Sequence, residues 1–451
     1  MKGAGTVPGQ MKRKFTLSSF QKIILGFAGL IIAGALLLML PISSVSGRVT
    51  PFGEALFTSV SAGCVTGLVV HDTATYWSVF GQVVILVLIQ IGGLGVVTCA
   101  ASISMIVGKK ISLGERGTMQ EAISAHKIGG IVKFTNFVIK AVFTVEAIGA
   151  VLLAPAFCSE FGASGIWRAV FHSISAFCNA GFDLMGTAGH EFASLTSYSA
   201  NVYVNVVLML LIITGGIGFL TWEDVVTHRH HLKRYRMQSK VALTISAVLI
   251  VVPAAIYFFA EYAGEPFSKR LIESLFQSVT TRTAGFNTAD LTALSGAGRI
   301  LMICLMLVGG SPGSTAGGMK TTTLAVLLSN AHSVFRRRED PHFFGRRIDA
   351  SVVKNASAIF VLYTALFTCG AAVISMAEGL PVGTCLFETA SAVGTVGLTL
   401  GITPTLGLLS RIILMGLMFF GRVGALTVVY AAASGVPKKL SRYPQGDITV
   451  G

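Results

Sequence analysis

Charge is scarce in this chain. Asp, Glu, Lys and Arg make up 12% of its 451 residues, about half the share in an average soluble domain. Cysteines are few and scattered, at 64, 99, 158, 178, 304, 369 and 385. They are odd in number and include no CxxC pair, which leaves neither a disulfide framework nor a zinc knuckle. No Ser/His/Asp set, paired carboxylates or zinc-ligand pattern stands out, so no catalytic site is expected. Together these absences exclude a soluble globular enzyme, a disordered chain and a disulfide-stapled secreted domain. What is abundant is apolar: 53% of residues are hydrophobic, and 51 are Gly. That composition predicts one polytopic membrane domain, in which Gly lets backbones approach closely.

The net charge is +14. In a soluble protein it would suggest nucleic acid. Here the basic residues lie between apolar runs, so nucleic acid is excluded and the positive-inside rule applies. Lys12, Arg13 and Lys14 precede an apolar stretch at 23–40. At about 18 residues it exceeds a signal-peptide core of about 7–15, and no A-x-A-like site follows. It reads as the first membrane helix.

Further apolar runs lie at 79–107, 134–154, 201–221, 241–260, 299–308, 355–376 and 408–433. Each is long enough to span, or nearly span, a ~30 Å hydrocarbon core. They fall into pairs, and the segment inside each pair repeats: LFTSVSAGCVTGL (56–68), VFHSISAFCNAGF (170–182), LFQSVTTRTAGF (275–286) and LFETASAVGTVGL (386–398). Each has an early Phe (Phe57, Phe171, Phe276, Phe387) and a late Gly (Gly67, Gly181, Gly285, Gly397), separated by 10, 10, 9 and 10 residues. The second member of each pair carries GGLG (92–95), GGIG (215–218), GGSPG (309–313) or GRVG (421–424). Helix packing alone favours small residues, but it does not explain the shared Phe-to-Gly spacing.

Each unit therefore reads as outer helix, short re-entrant helix that loses helical character at Gly, extended loop, inner helix. Extended backbone is tolerated at membrane depth only when buried in protein or lining a water-filled cavity. The expected fold is an all-α membrane protein with four tandem helix–pore-loop–helix repeats around one pseudo-fourfold pore. Its parts are a cytoplasmic N-terminus (1–22), repeat 1 (23–108), linker and repeat 2 (109–223), linker and repeat 3 (224–333), linker and repeat 4 (334–434), and a cytoplasmic tail (435–451). Charge placement sets the orientation. Of 34 Lys and Arg, 25 fall in the termini and inter-repeat linkers. Only seven fall on the pore-loop side: Arg48, Arg168, Lys269, Arg270, Arg282, Arg299 and Arg411. Both termini are thus expected inside, and the Gly loops are expected to enter from outside.

A cation crossing a membrane sheds water, and rings of backbone carbonyls replace the lost shell. Gly supplies the backbone angles such a lining needs. The expected lining is Val65-Thr66-Gly67, Asn179-Ala180-Gly181, Thr283-Ala284-Gly285 and Thr395-Val396-Gly397, the last matching part of the potassium-channel filter. No acidic side chain stands in these triplets, which argues against a carboxylate ring. The negative C-terminal dipole ends of the re-entrant helices would favour a cation.

From Gly309 the chain reads GGSPGSTAGGMKTTT, which no straight helix accommodates. It is expected to form a loop just inside the filter that blocks conduction; the alternative is a plain Pro/Gly kink. Nucleotide binding fails, because Met319 separates Gly318 from Lys320 where a P-loop requires Gly-Lys. Arg422 lies in the fourth inner helix, level with this loop. It is expected to oppose cations and bond loop carbonyls, or else to serve a helix C-terminus or a carboxylate. Lys140 and Glu146, six apart on one helix, do not face each other. The basic clusters at 228–236 and 335–347 read as solvated faces near lipid headgroups or a partner rather than metal sites.

These features resemble the Trk/Ktr/HKT superfamily of potassium transporters, over about residues 20–435. The most specific parts are TRTAGFNT (Thr281 to Thr288) and the Gly-rich loop. With four repeats and no extra N-terminal helix pair, the chain is more similar to a KtrB-type bacterial membrane subunit than to a TrkH-type one. The resemblance implies that Gly67, Gly181, Gly285 and Gly397 are potassium-selectivity glycines. It implies an intramembrane gate at 309–320 (Gly309, Gly310, Ser311, Pro312, Gly313, Ser314, Thr315, Ala316, Gly317, Gly318 and Lys320), faced by Arg422. It also implies homodimers with one pore per subunit and a separate cytosolic ring of nucleotide-binding RCK subunits (KtrA-type). The expected function is potassium uptake across the bacterial plasma membrane, with no covalent cofactor and no enzymatic activity. The alternative is a sodium-permeable or sodium-coupled transporter of the same fold, which Ser at a filter Gly would have favoured.

Overall fold

A computed structural model describes residues 18–106, 112–123, 130–425, 427–428 and 431. The expectations for the basic N-terminal segment before residue 18 and for the tail 435–451 fall outside the described residues. The first unit comprises α1 (Ser19–Leu38), α2 (Phe52–Gly63), α3 (Val79–Leu94) and α4 (Val96–Ile106), and α5 (Leu113–Ile123) follows it. The second comprises α6 (Ile131–Phe161), α7 (Ser164–Phe177), α8 (Val202–Gly216) and α9 (Phe219–His228). The third comprises α10 (Met237–Ile256), α11 (Phe267–Thr280), α12 (Gly296–Leu307) and α13 (Thr321–Phe335). A two-residue hairpin, β1 (His342–Phe343) with β2 (Arg346–Arg347), leads to α14 (Ala350–Glu378), α15 (Val382–Gly394) and α16 (Leu408–Val423).

The helices opening the four units are long and apolar enough to cross a membrane: 19–38, 131–161, 237–261 and 350–378. Their outward faces carry exposed Leu36, Val151, Val251 and Val361, as a lipid-facing surface does. The second helices, 12 to 14 residues long, reach only about 18–21 Å. Three of them start directly after Pro51, Pro266 and Pro381, where the missing N–H costs nothing.

Two sequence expectations need correction. The runs at 79–107 and 201–221 do not form continuous inner helices. The chain turns by 95° between α3 and α4 and by 99° between α8 and α9. The breaks fall at the last Gly of GGLG and GGIG, Gly95 (φ +86°) and Gly218 (φ +92°), and Gly424 ends α16 with φ +92°. Three inner helices therefore stop at a left-handed Gly, and in the third unit the whole segment 308–320 intervenes between α12 and α13. Second, the short second helices end before the repeat Gly, at Gly63, Phe177, Thr280 and Gly394. The cause is the residue two positions before each Gly: Val65, Asn179, Thr283 and Thr395 all have positive φ, from +52° to +69°. That conformation is rare for non-Gly residues and ends a right-handed helix.

Candidate functional site

The small polar residues of the repeat have positional roles counted from its Phe, which is fully buried in all four units. Two residues on, Ser59, Ser173, Ser278 and Thr389 each donate a hydroxyl to a backbone carbonyl of the unit's own outer helix. The acceptors are Ile31, Glu146, Ile250 and Phe367, at 2.7, 2.6, 2.7 and 3.0 Å. These bonds seat each short second helix on its unit's outer helix.

Four residues on, Ser61, Ser175, Thr280 and Ser391 hold the loop. The oxygens of Ser61 and Ser391 accept from the amides of Gly67 and Gly397 at 3.1 and 3.0 Å. Ser175 and Thr280 donate to the carbonyls of Phe182 and Phe286 at 2.7 and 2.6 Å. The register also locates the missing residue of the third unit. Thr280 and Thr283 are three apart where the other units have four, so the deletion lies between hydroxyl anchor and left-handed turn, and Gly285 keeps its place.

The four loops form a closed ring. A Cβ on Gly67 would lie 2.5 Å from the carbonyl oxygen of Ala180, and one on Gly181 would lie 2.8 Å from that of Ala284. One on Gly285 would strike the Val396 carbonyl, and one on Gly397 the Thr66 carbonyl. Each loop thus abuts the next in the order 1, 2, 3, 4 and back to 1. Only Gly fits at these four positions, by space and by positive φ. The triplet residues Val65, Thr66, Asn179, Ala180, Thr283, Ala284, Thr395 and Val396 are all buried around the ring. Asn179 Nδ2 crosses to the next loop, 3.2 Å from the Arg282 carbonyl and 3.3 Å from Thr283 Oγ1. Because α2, α7, α11 and α15 run into these loops, their C-terminal, partially negative ends converge on the ring.

Against one side of the ring lies the Gly-rich segment. Gly309 N–H donates to Met319 at 2.7 Å, and Thr321 N–H donates to Gly310 at 3.1 Å, closing it into a hairpin-like loop. Its tip is tied to the second unit: Ser311 and Thr315 amides donate to Gly216 and Gly215, and Gly313 accepts from Phe219 at 2.7 Å. Thr315 Oγ1 reaches the Phe177 carbonyl at 3.0 Å, and a Cβ on Gly317 would collide with the Thr395 side chain. Gly318 N–H donates to Gly421 at 3.2 Å. Lys320 Nζ folds back onto the Ala316 carbonyl at 2.6 Å. Arg422 bridges two elements: its guanidinium donates to the Thr315 carbonyl in the loop and to the Gly92 and Gly93 carbonyls at the end of α3. It forms no ion pair among the described residues.

Two charged residues of the repeats are buried. Arg282, counted with the pore-loop side, is buried behind the ring, its guanidinium 2.9 Å from Ser246 Oγ of α10. Glu146 is buried and accepts from Gln90 Nε2 at 3.0 Å, whereas Lys140 points elsewhere on α6.

The sequence pattern of a family described as TrkH, cation transport protein, matches residues 11–442. The chain belongs to this family. Its members are transporters rather than enzymes. The chain is 40% identical to the potassium/sodium uptake protein NtpJ of Enterococcus hirae, over 96% of this chain and 98% of that one. It is 38% identical to the Ktr system potassium uptake protein B of Bacillus subtilis, over 96% of each. The crystal structure of the potassium transporter TrkH from Vibrio parahaemolyticus has the same fold, with a TM-score of 0.73 at 19% identity, covering 93% of this chain and 86% of that one.

Proposed function

We propose that this member of the TrkH family takes up potassium across a bacterial plasma membrane, with the ring of loops as its selectivity filter. The observation that carries the reading is the ring itself: four Gly positions, each closed by a neighbouring loop's carbonyl, at the convergence of four helix C-termini. Such a site offers carbonyl oxygens and negative dipole ends in place of water. The triplets 65–67, 179–181, 283–285 and 395–397 are the potassium-binding residues in this reading. Residues 309–320, with Arg422, are the gate, because they lie against the inner side of the ring. The relatives named as potassium uptake proteins support the cargo.

The same reading makes each helix–loop–helix unit a quarter of one pore, with termini and linkers cytoplasmic. It pairs two subunits, and it places a separate nucleotide-binding RCK ring on the cytosolic face, in keeping with the Ktr system named for one relative. Sodium permeation alongside potassium is a second reading, favoured by the name of the Enterococcus relative.

Rubidium uptake into proteoliposomes, with sodium and lithium as competitors, tests the proposal. Gly67→Ser should weaken selectivity, since its side chain meets the Ala180 carbonyl. Deletion of residues 312–317 should raise flux. Flux indifferent to both changes would mean that ions cross elsewhere.

A further inference from the structure

The residue directly after the repeat Phe is Thr58, His172, Gln277 or Glu388, and each is buried. Three of them reach the outer limb of their own loop, beyond the ring. His172 Nδ1 donates to the Arg168 carbonyl at 2.7 Å, so the ring is neutral at Nε2, which accepts from the Leu184 amide at 3.4 Å. Gln277 Nε2 donates to Asn287 Oδ1 at 3.3 Å. Glu388 makes the most bonds. Its carboxylate accepts from Thr399 Oγ1 at 2.9 and 3.2 Å and from Thr403 Oγ1. Thr58 Oγ1 has no partner among the described residues.

Thr399 lies two residues beyond Gly397, and its hydroxyl oxygen also accepts from the Gly401 amide at 3.0 Å. The fourth loop is thereby pinned on both sides of its Gly: inside by Ser391, outside by Glu388. Hydrogen bonds to a carboxylate are about twice as strong as neutral ones. Of the four residues that follow the repeat Phe, Glu388 therefore makes the strongest tie to its limb; the first limb is tied instead through Glu54, whose carboxylate meets His71 Nε2 at 2.7 Å.

We infer that Glu388 is a positioning residue for ion selection: it touches no ion, and it fixes the spacing of the fourth loop's carbonyls through Thr399 and Thr403. This role rests on reading the ring as the filter. A carbonyl cage discriminates between cations by its size and by the number and stiffness of its ligands, so slackening one quarter of it admits the smaller ion.

The test uses the full chain in proteoliposomes, comparing rubidium KM, Vmax and inhibition by sodium. Glu388→Ala and Thr399→Val should raise the rubidium KM and reduce discrimination against sodium by about tenfold, with a smaller change in Vmax. Glu388→Gln, which still accepts one hydroxyl bond and donates another, should restore most of both. Combining Glu388→Ala with Thr399→Val should add little to either alone. Glu378→Gln, altering a carboxylate that caps Gly407 and Ser410 at the start of α16, should leave selectivity as it was. Unchanged selectivity in Glu388→Ala and Thr399→Val overturns the role. So does a Glu388→Gln defect equal to that of Glu388→Ala beside a normal Thr399→Val, since charge rather than bracing would then be responsible. If Glu388→Ala does not fold, the near-isosteric Thr399→Val and Thr403→Val decide the matter alone. A parent chain without rubidium-selective flux overturns the filter reading and this role with it, whereas a selective parent with indifferent variants overturns only the role.

Discussion

A methyl group added at Gly397 would meet the Thr66 carbonyl of the neighbouring loop, on a backbone with φ +93°. The left-handed conformation alone costs an L-residue about 1–2 kcal/mol, roughly tenfold in an equilibrium, and the collision involves backbone that has no freedom to rotate away. Gly397→Ala should therefore reduce rubidium uptake by at least about tenfold. Gly416→Ala, on a helix with open space around the position, should leave uptake unchanged and slightly stabilise the protein, as Ala for Gly in a helix does. Equal loss in both variants would show that Gly content, not the ring, matters. The four Gly were readable in the sequence as a spaced repeat. The hydroxyls two and four residues after each Phe were equally present there, but their separate tasks were not. Ser59 and Ser61 look alike until the helix aims one at α1 and the other at the loop.

At the scale of elements, the segment 308–320 is held by hydrogen bonds to the ends of α8, α9 and α16, and Arg422 fastens it to α3. Arg422→Gln removes charge-assisted bonds to carbonyls in two elements, each worth about 1.5–3 kcal/mol. The expected outcome is a rise in basal rubidium flux and a lower melting temperature in detergent. If flux stays low while the 312–317 deletion raises it, Arg422 is not the fastening. Composition alone marked this segment as non-helical, because Pro and five Gly in ten residues cannot continue a helix. The breaks at Gly95 and Gly218 were not legible in the same way. A single Gly costs a helix only about 1 kcal/mol, and most such residues remain helical. At the end of α8 the Gly215 and Gly216 carbonyls accept from the Thr315 and Ser311 amides of the Gly-rich segment, which takes the bonds that a continued helix would have made.

For the whole molecule, the proposed topology puts the inter-repeat linkers and the loops between first and second helices on opposite sides, as the distribution of Lys and Arg predicts. Gly264, exposed between α10 and α11, and Glu339, exposed before the β1–β2 hairpin, report on this. In a background lacking native Cys, Gly264→Cys should react with an impermeant maleimide added outside intact cells. Glu339→Cys should react only after the membrane is opened. The reverse pattern would invert the topology and make the Gly-rich segment the outward-facing element. The charge bias acts on segments leaving the translocation machinery, so it was readable without any knowledge of packing.

The sequence by itself determined what depends on local chemistry and counting. Apolar length specified the four outer helices, the shared Phe-to-Gly spacing specified four similar units, and Gly and Pro density specified that the 309–318 stretch is not helical. Only the tertiary structure decided what depends on neighbours from distant units. It set the cyclic order of the loops, with each Gly closed by the next loop's carbonyl. It also gave Arg422 its acceptors in two elements, buried Arg282 against α10, and placed Glu388 behind the fourth loop. Sequence periodicity shows which residues share a helix face, but which carbonyl faces them is settled only when the four units close around one axis.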